Sequence, residues 1–248
     1  MIRYIKYFFY IALNWNIKIA WYIIRREIIG EKKYSINTTG ADELKQLEKK
    51  GIDITHATIY MPVSYPLLEE LFEQLNLSTP KPHPNGDPTG RVLNPTQKIY
   101  AEGDVHRGKH FLDIGCGKGR ALCMAAHYGF TRLTGIDFSK ELCAAAEKNL
   151  AITKQKFPSL QYNIINNDAF YFEIPETVDY IFLFNPFDEV ILSAVVQNIA
   201  KSLHDHPRQL YILYVNPLHK EQFAKAGFKE IYHCKKMQYL EAVILANN

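Results

Sequence analysis

The sequence predicts an α/β fold with a doubly wound, mostly parallel seven-stranded sheet that ends in an antiparallel hairpin. Three observations predict it: strand and helix patterns alternate from Lys109 onward, a glycine-rich loop follows the first strand, and two strands adjoin at the C-terminus. Alternation of this kind is typical of parallel sheets with helices on both faces. Two strands without an intervening helix favour antiparallel pairing at one edge of the sheet.

The elements of this region follow one another along the chain with short connections. The predicted strands are 111–114, 133–136, 162–165, 180–184, 210–215, 228–233 and 239–245. The predicted helices are 119–128, 140–150, 190–203 and 218–226. Ser139 is the expected N-cap of the second helix, because its hydroxyl can accept a backbone N–H. The strand 180–184 is continuously apolar, as expected where both faces are covered.

The chain before this region divides into two further parts. Residues 31–108 carry expected helices at 41–49 and 66–75, and five prolines and two glycines between 78 and 95 indicate an irregular loop. We therefore expect an amphipathic helix over 1–30, a helix-and-loop cap segment over 31–108 and the α/β domain over 109–248.

The N-terminal segment is apolar and aromatic, but its longest uncharged stretch, Tyr7–Ile17, is shorter than the ~20 residues that span a bilayer. On a helical projection, one side carries Ile2, Ile5, Phe9, Ala12, Leu13, Ala20 and Ile23. The other side carries Arg3, Tyr7, Asn14, Lys18 and Arg25. We expect the apolar side to pack on the domain or on a second copy of the chain; the alternative is contact with a membrane interface.

Composition excludes several classes of partner. The formal net charge is only +3, which does not provide the basic face that nucleic-acid binding requires. Four cysteines, at 116, 123, 143 and 234, form neither a CxxC pair nor a cluster with histidine, so no metal site is expected. We expect reduced, buried thiols in a cytoplasmic protein, with the inner face of the membrane as the alternative location.

The most informative motif is DIGCGKGR, at 113–120. Three glycines let the backbone turn tightly and let a ligand approach without meeting a Cβ. The spacing differs from the dinucleotide pattern GxGxxG, because the third glycine comes one residue early and Arg120 stands where that pattern needs a small residue. A phosphate-binding P-loop is excluded, since GxxxxGK[ST] is missing. We interpret Arg120 as a solvated residue at the start of a helix.

The residues around this loop resemble the class I S-adenosylmethionine-dependent methyltransferases over roughly 109–248. The segment DIGCGKG is similar to the family's first motif, GIDFS at 135–139 to its second strand end, and NDA at 167–169 to its third. The resemblance implies a Rossmann-like methyltransferase fold with S-adenosylmethionine as cofactor. The implied cofactor-binding residues are Asp113, Gly115, Cys116, Gly117, Gly119, Asp137, Phe138, Asp168 and Ala169.

Particular roles follow from the same resemblance. Asp137 would bind the ribose hydroxyls, Asp168 would contact the adenine amino group, and Lys118 would lie near the methionine carboxylate unless it is simply solvated. In the segment YMPVSY, Tyr60 and Tyr65 would close over the cofactor, with packing of a helix on the sheet as the alternative.

The fourth strand ends in Asn185, Pro186 and Phe187, where the family places its catalytic residues. The segment is similar to the Asn-Pro-Pro-aromatic motif of amino-group methyltransferases, whose acceptor oxygens orient the amine. It departs from that motif at Phe187 and at Asp188, which is either a base or a helix cap.

We therefore predict a methyltransferase with Asn185, Pro186 and Phe187 at the catalytic site and Asn185 also touching the cofactor. N-methylation is preferred, and the acceptor, a small molecule or a protein, stays open. The alternatives are a non-catalytic S-adenosylmethionine-binding protein and a nicotinamide-dependent oxidoreductase.

Overall fold

The computed structural model describes residues 2–14, 16–39, 62–78, 106–184, 188–236 and 240–247. Its helices are α1 (Ile2–Asn14), α2 (Ile17–Tyr34), α3 (Tyr65–Ser78), α4 (Arg120–His127), α5 (Lys140–Lys156), α6 (Glu189–Asp205) and α7 (Lys220–Lys225). Its strands are β1 (His110–Ile114), β2 (Arg132–Asp137), β3 (Gln161–Asn166), β4 (Tyr180–Phe184), β5 (Tyr211–Val215), β6 (Phe228–Lys236) and β7 (Leu240–Asn247). A short 3₁₀ turn covers Ala169–Tyr171.

The seven strands in these ranges form one sheet in the order β3-β2-β1-β4-β5-β7-β6. Strands β1 to β5 pair in parallel, whereas β7 runs antiparallel to both β5 and β6. The predicted doubly wound sheet with a terminal antiparallel hairpin is confirmed. The strand order reverses between β1 and β4, and in open α/β sheets ligands bind outside the carboxyl ends of the strands at such a point.

Strand β1 shows why helices cover both faces of the sheet. Phe111 belongs to a core cluster with residues of α3, α4 and α5, whereas its neighbour Leu112 belongs to a second cluster with residues of α6 and α7. Successive side chains of a strand point to opposite faces, so an unbroken apolar strand requires cover on both. Helix α3, predicted from about Pro66 to Leu75, is thus part of the first core layer.

The N-terminal segment is two helices rather than the single helix expected. The side chain of Asn16 accepts a hydrogen bond from the backbone N–H of Ile19 and caps α2. A capping asparagine starts a new helix because it satisfies a donor that a continuing helix would bond internally.

The predicted apolar side of α1 does not pack on the α/β domain, whereas its packing on a second copy of the chain stays a prediction. Ile5, Phe9 and Leu13 are exposed, while Tyr7 and Ile11 are buried against α2. The physical reason is a polar anchor: the guanidinium of Arg3 donates to the buried carboxylate of Glu31. Of the predicted polar side, Tyr7 is therefore buried, whereas Asn14 at the end of α1 is exposed.

Membrane-spanning helices, disulfide bonds and metal clusters can be assessed only within the described ranges. No helix there is both long and apolar enough to cross a membrane. The four cysteines are buried and unbridged. Among the same residues, no group of histidines, cysteines and acids is arranged to hold a metal ion. The expected helix at 41–49 lies outside the described residues, and the division of the chain at 30 and 108 stays a prediction.

Candidate active site

The loop between β1 and α4 depends on its three glycines. Gly115, Gly117 and Gly119 have φ of +79°, +53° and +76°, a left-handed backbone that side-chain-bearing residues adopt at a cost. A Cβ on Gly119 would lie 3.2 Å from the Cβ of Ala146, so α4 begins in close contact with α5. The backbone N–H groups of Gly115 and Cys116 both donate to the carbonyl of Ile136 at 2.9 Å, which ties the loop to β2.

Two acids lie buried beside this loop, at the ends of adjacent strands. Asp113 on β1 is 2% exposed and Asp137 on β2 is 7% exposed. One carboxylate oxygen of Asp137 accepts the N–H of Gly117 and the other accepts the N–H of Ser139, each at 2.9 Å. Asp137 therefore shapes the glycine loop before any ligand binds.

Burial controls the ionisation of both acids. It raises the pKa of Asp137 to about 6, although the two backbone donors favour the ionised form. Burial, and then the negative charge of Asp137, raise the pKa of Asp113 well above its ordinary value. Groups with displaced pKa values beside a loop are typical of binding and catalytic sites.

The third strand supports this arrangement through a residue that the sequence analysis missed. The side-chain amide of Asn166 donates to the backbone carbonyls of Asp137, at 3.0 Å, and Phe138, at 2.8 Å. It holds the end of β2 and the half-buried Phe138 in place. Its position in the sheet could have identified it, because Asn166 pairs with Asp137 in the parallel register and lies at the carboxyl end of β3.

The next predicted residues have mainly local contacts. Asp168 is exposed and its carboxylate accepts the N–H of Phe170, capping the 3₁₀ turn in which Ala169 is buried. The Cys116 thiol is buried, and burial raises its pKa well above the ordinary value. Asp188 caps α6 by accepting the N–H groups of Val190 and Ile191, so the helix-cap alternative accounts for its contacts.

Two predicted sets fall outside the described residues: Tyr60, and Asn185 with Pro186 and Phe187. Tyr65 is described and lies in the core, 2% exposed. Its hydroxyl is 3.2 Å from that of Thr38 and its ring stacks on Tyr34. These contacts favour the packing alternative for Tyr65.

Arg120 is not solvated, and that interpretation is wrong. It is 3% exposed, and its guanidinium forms a two-pronged ion pair with the buried Glu27 of α2. It also donates to the hydroxyl of Thr38 at 2.8 Å and to the carbonyl of Val63 at 2.6 Å. The start of α4 is thus bound to three N-terminal segments.

Asn149 of α5 makes a second connection of this kind. Its amide donates to the carbonyl of Lys118 within the glycine loop at 2.9 Å and to that of Asn37 at 3.2 Å. Its side-chain oxygen accepts the N–H of Asn37 at 2.9 Å. The residues after α2 therefore brace the glycine loop, although neither Asn149 nor Asn37 shows a motif.

The charge of the site selects among ligands. Hydroxyl donors or a positive charge would interact favourably with Asp113 and Asp137, whereas a diphosphate would add negative charge beside two buried acids. The described edge of the sheet suits a ligand with hydroxyl groups and a cation.

Residues 111–206 match the family model of a methyltransferase domain. No curated protein matches the chain. Among solved structures, the pyocyanin biosynthetic protein PhzM has 14% identity and a TM-score of 0.45, covering 57% of this chain and 51% of that one. An O-methyltransferase of neocarzinostatin biosynthesis, solved with S-adenosylmethionine, has 16% identity and a TM-score of 0.43, covering 55% and 48%.

A methyltransferase from Aquifex aeolicus that depends on S-adenosylmethionine has 15% identity and a TM-score of 0.44, covering 72% of this chain and 98% of that one. The chain spans about half the length of the first two structures, with 51% and 48% of them covered.

Proposed function

We propose that this chain, whose residues 111–206 match the family model of a methyltransferase domain, transfers a methyl group from S-adenosylmethionine to an amino group. The observation that carries the proposal is the pair of buried acids, Asp113 and Asp137, beside a loop of three left-handed glycines. The cofactor assignment rests on the site's charge and the matching domain, and the amino acceptor rests on the residues after β4.

The residues present fit S-adenosylmethionine. Asp137 keeps a free lone pair on each oxygen after accepting one backbone N–H at each, so it can also accept hydrogen bonds from the two ribose hydroxyls. Burial and Asp137 raise the pKa of Asp113, and a sulfonium or ammonium group nearby would favour its ionised form, which suits a cationic ligand. When bound, the cofactor supplies a methyl group activated by the positive sulfur. A dinucleotide would instead bring a diphosphate to this loop, and we reject that alternative.

The chain's own contribution to methyl transfer is alignment and exclusion of water. Asn185 and Pro186 follow β4 directly in the sequence, and β4 is one of the two strands between which the strand order reverses. We assign to the side-chain oxygen of Asn185 and the carbonyl of Pro186 the acceptance of hydrogen bonds from the amine. Those bonds would orient the amine's lone pair, and Phe187 would line the acceptor site. Asp188 is engaged in capping α6, so we assign it no role as a base.

Gly117→Val tests the binding half of this proposal. Gly117 has a φ of +53°, which a β-branched residue adopts only with strain, and its N–H anchors Asp137. We expect S-adenosylmethionine affinity, measured by titration calorimetry, to fall at least a hundredfold, corresponding to about 2.7 kcal/mol. Gly129→Ala, another left-handed glycine with open space around its Cβ position, is the matched control. Unchanged affinity in a folded Gly117→Val protein, or tighter binding of NADH by the wild type, contradicts the proposal.

Labelled methyl transfer tests catalysis separately. The full chain is incubated with methyl-labelled cofactor and cell extract, and the products are separated into protein, lipid, nucleic acid and small molecules. With the acceptor identified, we expect Asn185→Ala to keep cofactor affinity within a few fold and to lower turnover about a hundredfold. Binding without any transfer would favour the non-catalytic alternative.

A further inference from the structure

Helices α1 and α2 present an exposed apolar surface, here called the outer face. Its most exposed large side chains are Leu13, Trp21, Ile17 and Phe9, at 84%, 65%, 59% and 58%. It also includes Ile5, Tyr22, Ile28 and Ile29. The ring of Phe8 links the two helices, since its centroid lies 5.6 Å from that of Phe9 and 5.3 Å from that of Trp21. Exposed apolar side chains joined in this way mark an interaction surface rather than ordinary surface scatter.

The opposite side of these two helices is already occupied. Ile11, Ala20 and Ile24 are buried against each other, and Glu27 pairs with Arg120 of the α/β domain. The hairpin is therefore fixed to the domain through its inner side. The outer face remains available without any rearrangement of those contacts.

The charges on this hairpin have one sign. Its exposed charged side chains are Lys6, Lys18, Arg25, Arg26 and Lys32, together with Lys33, which pairs with Glu69 of α3. The two acids of α1 and α2, Glu27 and Glu31, are 3% and 4% exposed and bind cations internally. The surface that surrounds the outer face is consequently basic.

This charge pattern discriminates between occupants. A two-fold dimer through the outer face would bring identical basic residues of two copies together, with no exposed acid on either hairpin to offset them. An anionic lipid surface would satisfy both features at once, since apolar and aromatic side chains enter the interface while lysine and arginine meet the headgroups.

We propose that the outer face of α1 and α2 binds an anionic lipid bilayer, with both helices lying in the membrane interface. Trp21, Phe9 and Leu13 enter the region between headgroups and acyl chains, and Lys18, Arg25 and Arg26 contact the headgroups. This inference does not depend on the proposed methyl transfer, because none of these residues lies at the glycine loop.

Sedimentation with vesicles tests the inference on the full chain. We compare vesicles of phosphatidylcholine mixed with phosphatidylglycerol against phosphatidylcholine alone, at low and high salt. We expect the wild type to pellet with the anionic vesicles and to be released by salt. Lys18→Gln/Arg25→Gln/Arg26→Gln should weaken this binding about a hundredfold, from roughly fivefold for each basic residue.

Leu13→Ser/Trp21→Ser tests the apolar contribution and should abolish pelleting with either vesicle. Leu218→Ser/Ile231→Ser removes apolar side chains of similar exposure, 62% and 47%, from the α/β domain and is the matched control. Circular dichroism verifies that each variant is folded. The inference is overturned if the wild type stays in solution with anionic vesicles, or if Leu13→Ser/Trp21→Ser pellets normally. A lipid-free dimer that this variant dissociates would assign the outer face to self-association instead.

Discussion

At the carboxyl ends of β1 and β2, beside the glycine loop, two acids are buried, Asp113 and Asp137; where the same loop enters α4, Arg120 is buried against Glu27. The acids repel each other, and Asp137 is bonded to backbone N–H groups rather than to a cation. The ion pair, by contrast, is a matched pair of opposite charges, and its side chains are further bonded to Thr38, Thr39 and a backbone carbonyl. The comparison shows that buried charged side chains have two different roles in this protein. The matched pair joins the N-terminal helices to the domain, and the repelling pair leaves negative charge for a ligand to complete.

Breaking the ion pair between Glu27 and Arg120 should have the largest effect, a loss of stability. Glu27→Ala leaves the Arg120 guanidinium buried without its counter-charge, and we expect the free energy of unfolding to fall by about 3–5 kcal/mol. Urea denaturation followed by circular dichroism measures it. Lys220→Gln removes one partner of the exposed pair with Glu230, joined at 2.8 Å, and should cost less than about 1 kcal/mol. Equal losses in the two variants would refute the assignment of Glu27 to a buried junction.

The affinity for S-adenosylmethionine should depend on pH through Asp137, one of the two repelling acids. Burial raises the pKa of Asp137 to about 6, and only its ionised form accepts hydrogen bonds from both ribose hydroxyls. Affinity for S-adenosylmethionine should therefore be constant above that pH and fall about tenfold for each unit below it. Calorimetric titrations between pH 5 and 8, with unfolding monitored in parallel, measure this slope. A flat profile down to pH 5 would mean that Asp137 does not bind the cofactor through its charge.

Removing one of the repelling acids should change the free energy of unfolding least, and in the opposite direction to Glu27→Ala. The pKa of Asp113 is raised in the folded protein, so the unfolded chain loses that proton first and wild-type stability falls as pH rises. Asp113→Asn lacks this loss. We expect its stability to approach that of the wild type as pH falls to about 4, and to exceed it increasingly as pH rises toward about 8. Destabilisation at both pH values would show that Asp113 is a structural partner.

Much of the fold followed from local patterns. The order of strands and helices is set by apolar periodicity, and Ser139 caps α5 through an N–H only three residues further along the chain. Left-handed glycines at 115, 117 and 119 were predictable for the same reason, since a tight turn before a helix is a local demand on φ. The acids at 113 and 137 were predicted from the resemblance to methyltransferases, and their places at strand ends agree with it, because parallel strands meet at one edge of the sheet.

The sequence by itself determined this α/β sheet, its glycine loop and the acids beside it, because each depends on neighbours within one strand–loop–helix unit. Only the tertiary structure decided that Arg120 is buried on Glu27, that Asn149 holds the loop, and that α1 turns its apolar side outward. The partners of Arg120 and Asn149 lie 93 and 112 residues earlier in the chain. A helical projection reveals which side of a helix is apolar, but whether that side is buried depends on the contacts of the folded chain.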